Sequence, residues 1–181
     1  LRNIYCPECF FSIYLFCMSF EERCKQVDTF LFDIGGIFTD GKITLIGNEL
    51  VQSFNAQDIL GLQLLKDLHF KFGFISRGKN EVFKKKIPSS ANFLYFNTMD
   101  KWASYQEILL DKSITPDKIL YMGDEIIDLP ILENVGLAVT VPEAVQSVLN
   151  SCHYITKKSA GNGAVREVLD LVFLHKKISF S

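Results

Sequence analysis

The sequence predicts an α/β domain: a Rossmann-like, mostly parallel sheet with helices on both faces, plus a small β-hairpin after the first strand. Three observations carry this. From Val27 onward, short apolar runs alternate with segments of helical periodicity, the pattern of strands joined by crossover helices. The chain holds 16 phenylalanines, many inside those short runs, which fits a buried sheet. No repeat, low-complexity linker or insertion of lid size interrupts the alternation. The 181 residues, 48% of them hydrophobic, therefore suit one domain around one core.

Met18 opens MSFEERCKQVDTFLF, a charged helix leading into a strand over Thr29 to Phe32. Lys42 to Ile46 and Glu49 to Phe54 are extended runs joined by Gly47-Asn48, a two-residue hairpin turn. Asp58 is placed to cap a helix that shows Ile59, Leu62, Leu65 and Leu68 on one face. A strand follows at Phe72 to Ile75, then a short helix over Asn80 to Lys86 stopped by Pro88, then a strand over Phe93 to Phe96. Trp102 to Leu110 is a helix with Trp102, Tyr105 and Leu109 facing inward. Lys118 to Met122 is a strand, Ile126 to Asn134 a helix closed by Gly136, Leu137 to Val139 a strand, and Glu143 to Leu149 a helix. His153 to Ile155 is a last short strand, and a long helix over Gly163 to Lys176 closes the domain.

Residues 1–17, LRNIYCPECFFSIYLFC, differ in character from the rest of the chain. They are expected to be an upstream extension outside the fold, with Met18 as the natural start and residues 18–181 as the domain. A signal peptide is the competing reading, but Glu8 precedes the apolar run and no small-x-small cleavage site comes after it. The run is also short for a membrane span. The Cys6-Pro7-Glu8-Cys9 pair lacks a second pair at zinc-ligand spacing. Cys6, Cys9, Cys17, Cys24 and Cys152 make an odd count crowded near the start, not a disulfide framework, so the expected setting is a reducing cytoplasm. The formal charge of −2, with no long basic run, argues against nucleic-acid binding.

In an open parallel sheet, ligands sit beyond the carboxyl ends of the strands. Asp33 follows the first strand, Ser76 the second, and Gly123, Asp124 and Asp128 follow the strand ending at Met122. Carboxylates, a hydroxyl and tight glycines on one edge would form a phosphate site assisted by a hard cation such as Mg2+. Each residue also has a purely structural reading. Asp33 before Gly suits a turn, Ser76 a helix cap, and Asp124 and Asp128 a helix start. Lys101 opens a helix, where the dipole disfavours a cation, although an exposed surface lysine is the plain alternative.

The ordered set FDIGGIFTDG, FISRG, DK and YMGDEIIDLP resembles the haloacid dehalogenase superfamily of phosphohydrolases, in its small capless branch. GDEIIDLP, LENVGLAVTVPEA and SAGNGAVREVLDLV are similar to the 3-deoxy-D-manno-octulosonate 8-phosphate phosphatase family, over roughly residues 20 to 177. The resemblance implies that Asp33 attacks phosphorus, forming an aspartyl-phosphate that water cleaves. It implies that Asp33, the carbonyl of Gly35 and Asp124 hold Mg2+ with Asp128 in support, and that Ser76 and Lys101 bind the phosphate. It further implies a homotetramer in which the hairpin and a flexible tail containing Gly161, Gly163 and Arg166 reach neighbouring pockets, with Arg166 contacting substrate. For Arg166, an ordinary helix arginine beside Glu167 and Asp170 is the alternative.

The sequence departs from the family pattern at two places. The family carries a general acid/base Asp two residues after the nucleophile, where this chain has Gly35; losing such help costs about 10²–10⁴-fold in rate. Glu125 and a metal-bound water are the candidates to stand in. The family order Thr-Gly-Arg is here Ser76-Arg77-Gly78, which leaves Arg77 as a relocated carboxylate-binding candidate. The resemblance thus implies a cytoplasmic Mg2+-dependent sugar-phosphate phosphatase of lipopolysaccharide biosynthesis, acting on 3-deoxy-D-manno-octulosonate 8-phosphate at reduced rate. The departures also admit a catalytically degenerate relative serving as an oligomerising or ligand-binding module, or a phosphatase for another sugar phosphate.

Overall fold

The computed structural model describes residues 18–47 and 49–180. The expected extension 1–17, with its CxxC pair, and Asn48 of the hairpin turn lie outside the described residues. Helix α1 (Phe20–Gln26) starts with a reciprocal cap in which Ser19 and Glu22 satisfy each other's backbone N–H groups. Strand β1 (Thr29–Phe32) follows and is wholly buried. Strands β2 (Thr44–Ile46) and β3 (Glu49–Val51) form the antiparallel hairpin, pairing Thr44 with Val51 and Leu45 with Leu50.

Helix α2 (Ala56–Asp67) packs Leu62 and Leu65 into the core, as its periodicity predicts. Its cap differs from expectation. Asn55, not Asp58, accepts the Gln57 N–H, at 2.8 Å, and Asp58 is used elsewhere. Strand β4 (Lys71–Ser76), the single-turn helix α3 (Glu81–Lys84) and strand β5 (Phe93–Phe96) come next. Helix α4 (Lys101–Ile108) begins one residue earlier than predicted, capped by Asp100 on Ala103 N at 2.9 Å. Tyr105 and Ile108 are buried, while Trp102 and Leu109 pack at the core margin.

A 3₁₀ turn (Pro116–Lys118) leads into β6 (Ile119–Met122). The helix expected over Ile126 to Asn134 is instead a 3₁₀ turn (Ile126–Asp128) running into the single α-turn α5 (Leu129–Leu132). The Asp128 carboxylate accepts the N–H groups of Asp124 and Glu125, which winds the chain tightly there. Strand β7 (Leu137–Thr140), helix α6 (Gln146–Ser151, starting three residues later than expected), strand β8 (Tyr154–Ile155) and helix α7 (Ala164–His175) complete the domain.

The main sheet has six strands in the order β5-β4-β1-β6-β7-β8, and every pairing is parallel. Helices α1 and α2 pack against α7, whereas α4, α5 and α6 pack in sequence as a second group, giving a helix layer on each side. The core holds Phe30, Phe32, Phe38, Phe72, Phe74 and Phe83, all fully buried, with edge-to-face and tilted ring contacts running from Phe32 through Phe38 and Phe74 to Phe83. Cys24 and Cys152 are free thiols. No helix among the described residues is long and apolar enough to cross a membrane.

Candidate active site

The strand order decides what can meet. Strands β4, β1 and β6 are neighbours, so Ser76, Asp33 and Asp124 emerge side by side at one sheet edge. Asp33 is tied to that edge by its N–H, which donates to Met122 O at 2.9 Å. Lys101, buried at the first residue of α4, places Nζ 3.0 Å from Asp33 Oδ2 and 2.7 Å from Asp128 Oδ1. Tyr121 on β6 donates its hydroxyl to the same Asp128 Oδ1 at 2.6 Å. With Asp124 N and Glu125 N on Oδ2, at 3.3 and 3.2 Å, both oxygens of Asp128 are occupied by protein donors. Asp128 thus holds Lys101 and the loop after β6 in place.

Asp33, Asp124 and Asp128 each bring one carboxylate oxygen to within 4.8 Å of the others. Asp124 Oδ1 is buried with no hydrogen-bond partner. A buried carboxylate oxygen without a donor is costly, and a hard divalent cation is the group this all-oxygen set would satisfy. The electrostatics agree. Burial pushes Asp33 up to about 6; Lys101 opposes the rise and Asp128 adds to it. Burial also pushes Asp124 up to about 7, with Asp33 and Asp128 adding. On Lys101, burial works to lower the pKa, but the carboxylates of Asp33 and Asp128 outweigh it and the net shift is upward.

Two glycines shape the cluster. Gly36 sits at φ +76°, and a Cβ there would stand 2.0 Å from Asp124 Oδ2. A Cβ on Gly123 would fall 2.6 Å from Asp128 Cγ. Gly35 is different, because beyond its own chain neighbours no atom lies within 4 Å of where its Cβ would be. The loop beyond is braced by Thr39, whose Oγ1 accepts from Gly36 N and Gly41 N at 3.3 and 3.4 Å.

The cluster opens into a cleft of about 530 Å³ lined by Asp33, Gly35, Ser76, Arg77, Lys101 and Asp124 among others. Lys42, Ile43, Leu50 and Gln52 form its hairpin wall, with Glu125 and Ile127 on the side of β6. Ser76 Oγ accepts from Asn80 Nδ2 at 2.9 Å and caps no helix. Glu125 is committed to the backbone, its Oε1 accepting Ile126 N at 2.7 Å as the cap of the 3₁₀ turn.

Arg166 stands apart. Its Nε is 2.7 Å from Asp170 Oδ1, and it does not line the cleft. Within the single chain the segment with Gly161, Gly163 and Arg166 makes backbone hydrogen bonds. Asp58 accepts from Gly163 N and Arg166 N at 3.1 and 2.8 Å, and Gly161 N donates to Ile37 O at 2.9 Å, in the loop that follows Asp33. Sequence reasoning missed Tyr121 and Thr39. The signal for Tyr121 was a phenol inside the buried run ILYM, which must find a partner for its hydroxyl.

A family model described as haloacid dehalogenase-like hydrolase matches residues 63–169. The 3-deoxy-D-manno-octulosonate 8-phosphate phosphatase of Yersinia pestis is 31% identical over 156 residues, covering 84% of this chain and 83% of the relative. The crystal structure of the Y. pestis phosphatase superposes with a TM-score of 0.82 at 30% identity, covering 87% of this chain and 86% of that one. A structure of the same phosphatase from Moraxella catarrhalis, in complex with magnesium ion, phosphate ion and a KDO molecule, gives a TM-score of 0.81 at 27% identity, covering 87% of this chain and 91% of that one. With Asp33, the buried Lys101 and the acidic trio gathered at one sheet edge, the chain belongs to the haloacid dehalogenase-like hydrolases and is a phosphatase of that family.

Proposed function

We propose that this phosphatase hydrolyses 3-deoxy-D-manno-octulosonate 8-phosphate through an aspartyl-phosphate on Asp33, at a rate held down by Gly35. The observation that carries the reading is the Asp33–Lys101–Asp128 contact chain beside the unpartnered Asp124 oxygen. Asp33, the Gly35 carbonyl and Asp124 would hold Mg2+, with Asp128 supporting the cluster. When bound, Mg2+ offsets charge on the transferring phosphoryl group. Asp33 supplies the attacking oxygen. Lys101, fixed by Asp128, and Ser76 hold phosphate oxygens in line with it. Arg77, exposed in the cleft wall, faces the sugar acid's carboxylate. Arg166, tied to Asp170 outside its own cleft, would serve substrate only from a neighbouring subunit, as in the homotetramer that the family resemblance implies. A cytoplasmic enzyme of lipopolysaccharide biosynthesis fits this substrate.

The test measures phosphate release from the 8-phosphate with Mg2+, using Asp33→Asn as control. Equal release from both proteins rejects the reading. A panel of other sugar phosphates in the same assay fixes the substrate. Gly35 and the commitment of Glu125 to a cap favour one second reading, a degenerate relative that binds ligand without turnover. Gly35→Asp separates the two. A gain of about 10²–10⁴-fold marks a site complete except for its proton donor. No gain, with wild-type release independent of Asp33, favours the binding module.

A further inference from the structure

We infer that this cleft favours phosphate compounds whose leaving group departs as a stabilised anion, namely acyl and aryl phosphates, over the alkyl phosphates of sugars. The inference rests on Asp33 being the nucleophile of a working phosphatase. It begins from the groups around Asp33 that could hand over a proton. Gly35 has no side chain, and the space beside it is open. Glu125 caps the 3₁₀ turn through Ile126 N. The Lys101 ammonium is clamped between Asp33 and Asp128. Lys42 pairs with Asp40 at 3.1 Å, its side chain 80% exposed. Arg77 carries a guanidinium that does not give up its proton. Asp124, the other acid in the cleft, would be ionised while holding Mg2+, so among the described residues none of these cleft side chains is poised as a proton donor.

The consequence depends on the leaving group. An Asp33 carboxylate oxygen forms a bond to phosphorus, the bond from phosphorus to the leaving oxygen breaks, and its electron pair stays on that oxygen. A sugar alkoxide is nearly as basic as hydroxide, whose conjugate acid water ionises at about 15.7, so it departs poorly without a proton. A phenol ionises near about 10 and a carboxylic acid near about 4, so their anions leave unaided. Water then attacks phosphorus, the Asp33 carboxylate departs as an anion, and the water proton passes to solvent. That second step needs no acid either, but it lacks a base, so phosphorylated Asp33 accumulates. The cleft walls agree with the class, since Ile43, Leu50 and Ile127 offer an apolar face to the body of an aryl or acyl group.

The experiment compares kcat/KM, which reports the phosphorylation step, for acetyl phosphate, phenyl phosphate, 4-nitrophenyl phosphate and 3-deoxy-D-manno-octulosonate 8-phosphate with Mg2+. It uses the wild type, Gly35→Asp, Gly35→Asn and Asp33→Asn. The wild type is expected to lose at least about 100-fold from the acyl and nitrophenyl compounds to the sugar phosphate, and to release a burst of nitrophenolate of about one per site. Gly35→Asp should raise the sugar phosphate by about 10²–10⁴-fold and the activated compounds only a few-fold, while Gly35→Asn, which fills the space without an acid, should not. If Gly35→Asp fails to fold, the wild-type dependence on leaving group decides alone. Asp33-dependent turnover that is flat across the series overturns the inference and leaves the phosphatase reading standing. The absence of Asp33-dependent release from every compound overturns the phosphatase reading itself.

Discussion

Two adjacent glycines in the loop after β1 carry opposite constraints. Gly36 adopts a left-handed φ of +76° and lies against the Asp124 carboxylate, so Gly36→Ala adds backbone strain and pushes on a residue of the acidic trio. The strain alone costs about 1–2 kcal/mol. Gly36→Ala should therefore lower the urea midpoint clearly and weaken divalent-cation binding, whereas Gly35→Ala should leave stability within about 0.5 kcal/mol. Equal effects of the two would contradict the packing described. The acidic trio makes a second prediction at this scale. Asp33 and Asp124 stand at about 6 and about 7, both above the ordinary aspartate value, because burial and mutual repulsion disfavour the charged form. A raised carboxyl pKa stabilises the cation-free fold below the unfolded value, near about 3.9, and that contribution is lost as pH rises through the folded values. A cation held by the ionised carboxylates acts in the opposite sense. The rise in melting temperature on adding Mg2+ should thus be larger at about pH 8 than at about pH 5. A rise independent of pH would mean the ion binds elsewhere. Asp33, Ser76, Asp124 and Asp128 were legible because strand ends on one sheet edge must converge. The Tyr121–Asp128–Lys101 chain was not, since a tyrosine within a strand reads as one more apolar residue until a partner is seen.

At the scale of elements, the most consequential link joins α2 to the start of α7. Asp58, fully buried, accepts two N–H groups from Gly163 and Arg166, more than a hundred residues away in sequence. Hydrogen bonds to a charged acceptor are worth about 1.5–3 kcal/mol each, and Asp58→Ala would leave both donors buried or nearly so. Asp58→Ala is expected to cost about 2–3 kcal/mol by urea denaturation, and Asp58→Asn less, because one oxygen remains. The loss should also reduce kcat/KM, because the segment Asp58 anchors carries Gly161, whose N–H holds the loop after Asp33 at Ile37 O. An Asp58→Ala protein as stable as wild type would show that the cap contributes nothing to the fold. This residue also shows what local sequence can and cannot reveal. The strands and the long helices were readable from apolar periodicity. Which helix Asp58 caps was not, because Asn55 and Asp58 both suit a cap and the choice is made by tertiary contact. The overlong helix predicted after β6 failed for a related reason. Its apolar spacing is helical, but the Asp128 carboxylate takes up backbone N–H groups at the start and tightens the chain into a 3₁₀ turn.

At the scale of the whole molecule, the hairpin is the element that the domain does not stabilise by itself. Its strands have three residues each, and a two-stranded ribbon of that size is marginal in water. Yet Ile43, Leu45, Ile46, Leu50 and Val51 stand 82, 64, 68, 53 and 42% exposed, more apolar surface than an isolated ribbon would carry to solvent without cover. Ile43 and Leu50 also line the cleft at Asp33. A surface that covered this ribbon would therefore bury its apolar side chains and complete a wall of the site in one step. The proposed homotetramer supplies such a surface, and it supplies Arg166 from a neighbour, which the single chain keeps outside its own cleft. Leu45→Asp combined with Ile46→Lys places charge on the ribbon without touching the core, since both positions are exposed. The double variant should sediment as a smaller species than wild type while keeping its circular dichroism, and its KM for the phosphate substrate should rise with the loss of assembly. Wild-type protein that sediments as a monomer at micromolar concentration would contradict the argument. So would a monomeric double variant with unchanged KM, because the cleft would then be complete within one chain.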